Sequence, residues 1–190
     1  MIKIKTLEIA GLASVLQALR LPFGKDCRSN TKYKDYWAEG KFPYFESSSS
    51  VEIDEKDLKL LSTLVKRGTE HAKTLRGLIV YAEIEAPIYL LRELETYRIG
   101  RERLSCNSTM HQQCKGLTGE ELVKAKSEMP MGIMQKTVDM FSYQCIRNIV
   151  KQREGHRLPE WKTFIDWAHT LPYAKELIFV GLKNENKDGK

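Results

Sequence analysis

The run from Thr74 to Ile84, closed by Ala86-Pro87, constrains this chain more than any other stretch. Leu75, Leu78, Ile79, Val80, Tyr81, Ala82 and Ile84 make it nearly continuously apolar and rich in β-branched residues. That composition predicts a strand buried on both faces. Proline is tolerated in the first turn of a helix, so Pro87 predicts a helix running from Ile88 to about Gly100. Its apolar side carries Ile88, Leu91 and Leu94, and its polar side Arg92, Glu93, Thr96, Tyr97 and Arg98.

The elements on either side supply a helical layer. Alternation over Met1 to Ile9 predicts a first strand, which Gly11 breaks. A short helix over Ala13 to Leu21 stops at Pro22. Asp54 to Arg67 is amphipathic, with Leu58, Leu61, Leu64 and Val65 at helical spacing and Asp54 as N-cap. Thr118 to Glu121 reads as a capping box opening a helix. Gln135 to Arg153 reads as one long core helix, with Val138, Phe141, Cys145 and Ile149 in line. Leu158-Pro159 opens another helix with Trp161, Phe164, Ile165 and Ala168 on one side, and Tyr173 to Leu182 supplies a last turn or two. Residues 101 to 117 read as irregular. The fold class expected is therefore α/β of the α+β kind: a small, mainly antiparallel or mixed sheet packed with a layer of long helices. At 190 residues, one domain over 1–183 is expected, with a flexible tail over 184–190.

The formal net charge of +6 is within the range that solubility alone accounts for, and it also suits an anionic partner such as a nucleotide. There is no apolar run of membrane-spanning length, no signal-peptide pattern and no CxxC pair among Cys27, Cys106, Cys114 and Cys145. A reducing, cytoplasmic setting with free thiols is expected, and no metal site: Cys106, His111 and Cys114 lack a fourth ligand at fitting spacing. Between Pro22 and Ser50 the aromatics Tyr33, Tyr36, Trp37, Phe42, Tyr44 and Phe45 alternate with Lys and Asp. This excursion either clamps itself shut with its aromatics or stacks on bases of a nucleic acid; a nucleic-acid partner is the less favoured reading.

The residues A-P-I-Y-L-L-R-E-L-E-T-Y-R-I-G from Ala86 onward resemble the flavin-dependent thymidylate synthase family, whose helix here carries A-P-x-F/Y…R-Q-x-x-R-H-R. Upstream, G-T-E-H-A-K resembles that family's G-H-x-[ST]-x-x-E-H segment. In gapless register His71 falls on its first histidine, Lys73 on its hydroxyl position and Arg76 on its glutamate. Arg92 matches the family arginine, Glu93 stands for the glutamine, and Thr96-Tyr97-Arg98 stands for Arg-His-Arg. Ala18 to Phe23 resembles the early A-A-R-x-S-F, and Thr137-Val138-Asp139 with Asn148 and Arg153 resembles the late T-V-N…N…L-R helix. The loop Arg101 to His111 lacks the family's Asn-Glu and Arg-Tyr pairs; Cys106 falls on or beside its serine.

The resemblance implies a flavoprotein acting on a pyrimidine deoxynucleotide such as dUMP, as a one-carbon transferase, with FAD bound and NADPH and a reduced folate as co-substrates. It implies a homo-oligomer, a tetramer in that family. His71, Lys73, Tyr97 and Arg98 become flavin-contact candidates. Arg20, Arg92, Glu93, Arg101, Ser108 and Arg153 become nucleotide-contact candidates, and Arg153 and Cys106 candidates for the chemistry. The expectation is that Arg20, Arg92, Arg98, Arg101, Arg103 and Arg153 converge on a phosphate, which guanidinium forks suit. Each has a plainer reading. Arg20 complements a helix dipole, Arg92 and Glu93 belong to a solvated helix face, His71 is a hydrogen-bonded structural residue, and Cys145 is a small buried apolar residue. Two other functions stay open: a nucleotide-binding protein without catalysis on the same scaffold, and a basic nucleic-acid binder.

Overall fold

A computed structural model describes residues 2–23 and 52–182. The aromatic excursion from Tyr33 to Phe45, the serine run, Cys27 and the tail over 184–190 lie outside them.

The centre is a four-stranded sheet in the order β1-β2-β4-β3, with every neighbouring pair antiparallel. The strands are β1 (Lys3–Ala10), β2 (Ile79–Pro87), β3 (Arg101–Cys106) and β4 (Met134–Ser142). Helices α1 (Leu12–Arg20), α2 (Glu55–Lys66), α3 (Ile88–Leu94), α4 (Gly119–Ser127), α5 (Tyr143–Arg153), α6 (Glu160–His169) and α7 (Ala174–Leu177) complete it. The expected α+β class holds.

The apolar run begins with a 3-10 turn over Lys73–Arg76, and the strand starts five residues later than expected. It continues through Pro87 because Glu83 and Glu85 tolerate its open face. Burial alternates: Val80, Ala82, Ile84 and Ala86 are buried, while Ile79, Tyr81, Glu83 and Glu85 are half-exposed. The strand is thus covered on one face, as antiparallel sheets allow, and not on both. On the open face Lys136 reaches Glu83 at 3.1 Å and Lys3 reaches Glu85 at 3.6 Å.

Four further expectations are corrected. The supposed long helix over Gln135 to Arg153 is β4 followed by α5, and the break falls at Ser142. The Ser142 hydroxyl accepts the Cys145 N–H at 3.1 Å, an N-cap that ends the strand and starts the helix. Residues 101 to 106, read as irregular, form the edge strand β3. The helix after Pro87 also stops at Leu94, where the Thr96 hydroxyl donates to the Glu93 carbonyl at 2.7 Å. Thr118 occupies the N-cap of α4 but its side chain makes no capping bond. Asp54, by contrast, caps α2 by accepting the Lys56 N–H at 2.9 Å.

The core lies between the sheet and α1, α5 and α6. Phe141, Phe164, Trp161 and Trp167 form a chain of tilted and edge-on aromatic contacts with centroids 5.1–6.1 Å apart. The Trp167 indole N–H donates to the Thr6 hydroxyl at 3.0 Å and so ties α6 to β1. Gly11, at φ 92°, turns β1 into α1 so tightly that a Cβ there would lie 2.0 Å from the Gly77 carbonyl oxygen.

Candidate functional site

Helix α5 organises the polar chemistry, because two of its faces do different things. Tyr143, Cys145, Ile146, Ile149 and Val150 are buried. Gln144, Arg147, Asn148, Lys151 and Glu154 recur at helical spacing and line a groove of about 560 Å³. The opposite wall is the end of α2 and the turn after it (Val65, Lys66, Gly68, Thr69, Ala72), and Gly181 and Leu182 close one end. The volume suits a small organic ligand. Three cations and one carboxylate among the lining residues leave an excess of positive charge.

Within the groove the Gln144 amide N–H donates to the Asn148 side-chain oxygen at 3.1 Å, while the buried Gln144 Oε1 has no hydrogen-bond partner. A buried acceptor without a donor is costly, so this oxygen points to a ligand N–H or O–H. The Arg147 guanidinium donates to the Ile178 carbonyl, and burial lowers its pKa from the ordinary arginine value.

On another face of α5, Arg153 is enclosed. Its Nε–H donates to the Tyr97 hydroxyl at 2.8 Å, and its Nη1 lies 3.1 Å from Glu93 Oε2 and 3.0 Å from His156 Nε2. The guanidinium carbon lies 4.5 Å from the Trp161 ring centroid and 5.5 Å from that of Tyr97. Glu93 Oε2 also accepts the Trp161 indole N–H at 3.1 Å. Burial raises the Tyr97 pKa above the ordinary phenol value, against the lowering influence of Arg153. Nearby, the Tyr89 hydroxyl donates to Glu160; this bond raises the Tyr89 pKa and lowers that of Glu160.

The expected ring of arginines is therefore only partly assembled. Glu93, Tyr97 and Arg153 meet. Arg20 forms an ion pair with the buried Asp57 carboxylate, which joins α1 to α2. Arg101 is buried at the start of β3. It donates to Asp139 at 2.5 Å and to the Leu94 carbonyl at 3.2 Å, and burial lowers its pKa. Arg103 pairs with Glu95 and lies 3.7 Å from Asp139. Arg92 and Arg98 are exposed and make no polar contact among the described residues. His71 and Lys73 are exposed; the groove wall takes Thr69 and Ala72 from that segment and not these two. Cys106 is exposed at the end of β3, and the Ser108 hydroxyl accepts the Met110 N–H at 3.2 Å. Among the described residues, no cluster of His, Cys, Asp or Glu is arranged to hold a metal, and no helix is long and apolar enough to cross a membrane.

Lys66, Thr69, Gln144, Arg147 and Lys151 are groove residues that motif reading missed. The signal was present as the polar positions 144, 147, 148 and 151, which share one helical stripe once the helix is started at Tyr143.

Fold and groove together define a mixed α+β scaffold with a cation-rich polar cleft beside its longest core-lining helix stripe. No protein-family profile matches the chain, and no curated protein matches it in sequence. Solved structures do match. Thymidylate synthase X from Helicobacter pylori, crystallised with FAD and dUMP, superposes with a TM-score of 0.67 at 15% identity, covering 97% of this chain and 100% of that one. A second structure of the same enzyme with FAD and dUMP gives a TM-score of 0.64 at 15% identity, over 95% and 100%. A UMP/dUMP methylase, PolB from Streptomyces cacaoi, bound with 5-Br dUMP gives 0.57 at 12% identity, over 94% and 95%. What these likenesses establish for this chain is the thymidylate synthase X fold.

Proposed function

We infer that this chain binds a flavin and a pyrimidine deoxynucleotide and acts as a thymidylate synthase-like one-carbon transferase on a dUMP-like substrate. The observation that carries the reading is the groove along α5, with its excess of cations and its unpartnered Gln144 oxygen, on a fold whose solved neighbours bind FAD and dUMP. The residues present fit a flavin nucleotide. Lys66, Arg147 and Lys151 supply positive charge for phosphate, and Gln144 and Asn148 offer side-chain amides to its ring or hydroxyls. When bound, the flavin carries the hydride chemistry. NADPH would renew it and a reduced folate would supply the carbon.

The chain's own part is binding and orientation. The buried side of α5 packs into the core and so positions the stripe of lining side chains on its other side. Cys145 is no nucleophile candidate, because burial pushes its thiol up to about 11. Cys106 is accessible and remains the candidate thiol, with Arg153 as a positioning group and His71, Lys73, Tyr97 and Arg98 as further flavin contacts in an assembled homo-oligomer. The assay is dUMP-dependent release of tritium from [5-³H]dUMP with FAD, NADPH and methylenetetrahydrofolate. Release above the no-enzyme control supports the reading, and flavin binding without release selects the second one.

That second reading is nucleotide binding without turnover. The internal neutralisation of Arg20, Arg101, Arg103 and Arg153 by Asp57, Asp139, Glu95 and Glu93 favours it.

A further inference from the structure

We propose that Glu93 determines which face of α5 takes phosphate: it neutralises Arg153, withholds that guanidinium from anions, and leaves phosphate to Lys66, Arg147 and Lys151 in the groove. The inference deepens the nucleotide-site reading and rests on it for the identity of the ligand, though not for its own test.

Arginine is the side chain best shaped for phosphate, since its fork donates two parallel hydrogen bonds. Among the described residues Arg153 is the arginine with two aromatic rings over its guanidinium, and its side chain is 17% exposed. Its Nε is used by Tyr97 and its Nη1 by Glu93, while Trp161 and Tyr97 cover the guanidinium. Its charge is matched by one carboxylate, and the Trp161 indole N–H holds that carboxylate in place. Phosphate gains little at a guanidinium whose charge Glu93 already neutralises, and displacing Glu93 would break its bonds to Trp161 and Arg153. A half-satisfied buried network is worse than a complete one.

The groove presents the opposite case. Lys66, Lys151 and Arg147, whose Nη1 donates to the Ile178 carbonyl, share a groove open to ligand with a single carboxylate, Glu154. Lys151 and Arg153 are two residues apart on one helix and so project in different directions. The helix thus separates an anion-accepting face from an anion-refusing one, and the carboxylate at position 93 makes the difference. Glutamine there keeps an oxygen for Trp161 and removes the charge that neutralises Arg153.

The test uses the full chain and inorganic phosphate as probe, followed by tryptophan emission, with thermal melting of every variant to establish that it is folded. Glu93→Gln is expected to bind phosphate at least ten-fold more tightly than the unaltered chain, and the gain should vanish in Glu93→Gln/Arg153→Met. Equal affinity in Glu93→Gln and the unaltered chain overturns the proposal. A second arm does not depend on Glu93→Gln folding. With Glu93 in place, Lys151→Ala should weaken phosphate binding several-fold while Arg153→Met leaves it within two-fold. A loss in Arg153→Met as large as that in Lys151→Ala, or no phosphate binding by the unaltered chain, also overturns it. Failure of the wider reading would show separately, as no affinity for FAD or dUMP with both phosphate arms as expected.

Discussion

Replacing Asp139 with alanine should be among the most damaging single substitutions in this fold. Asp139 is fully buried on β4, where Arg101 donates to it at 2.5 Å from a side chain that is 4% exposed. The Thr137 hydroxyl donates to its other oxygen, and Arg103 lies 3.7 Å away. Alanine leaves the Arg101 guanidinium buried beside no counter-charge, and removing one partner of such a pair costs about 3–5 kcal/mol. Native domains hold only about 5–15 kcal/mol in total. In a chain of this size each kcal/mol moves the melting temperature by about 2–4 °C, so the expected loss is about 6–20 °C. The double variant Asp139→Ala/Arg101→Met should recover part of it, with a coupling of about 1–3 kcal/mol. Urea denaturation of the four proteins of the cycle measures this. A loss under about 1 kcal/mol for Asp139→Ala, or additive losses in the cycle, would refute the assignment of this pair as the anchor of β3.

Further outcomes follow from single positions. Gly11→Ala should destabilise by more than about 2 kcal/mol, because a left-handed backbone penalty of about 1–2 kcal/mol adds to collision with the Gly77 carbonyl. Gly116→Ala, also at positive φ but with nothing within 4 Å, should cost only the backbone penalty; thermal melts of the two separate the contributions. Asp54→Ala should cost about 1 kcal/mol through loss of the α2 cap, seen in the same assay. Thiol labelling at pH 8 with peptide mapping should modify Cys106 and spare Cys145, whose thiol burial holds at about 11. Since the Cys145 pKa is raised on folding, the folded state binds the extra proton. That stability is complete below about pH 9 and is lost as pH rises toward about 11. Alkaline melts of Cys145→Ala should therefore fall less steeply over that window than those of the unaltered chain.

What the sequence made legible depended on where polar residues fall. The apolar stripes of α1, α2 and α6 and the Asp54 cap of α2 can be read directly, because apolar residues recur at helical spacing on their inner sides, with Asp57 of α2 the buried exception. β4 and β3 cannot, because β4 buries Thr137 and Asp139 beside Phe141 while Val138 and Met140 are half-exposed, so over 137–140 the apolar alternation runs against the burial. Asp139 can be inside only because Arg101 and Arg103 come from the neighbouring strand, and no local pattern reveals a partner on another strand. With β4 hidden, the strand and α5 merged into one apparent helix, and the groove stripe at 144, 147, 148 and 151 lost its phase. The arginine-rich motif positions were visible, but the carboxylates that engage them, Asp57, Asp139 and Glu95, could be recognised only in three dimensions.

Equilibrium titration of the purified chain with FAD, followed by flavin absorbance and fluorescence, reports on the α5 groove itself. Binding should be saturable and weaken at least ten-fold in Lys151→Ala and several-fold in Gln144→Leu, with dUMP altering the spectrum of the bound flavin. Absence of FAD binding at tens of micromolar, or binding indifferent to both groove substitutions, would contradict the groove's assignment to flavin.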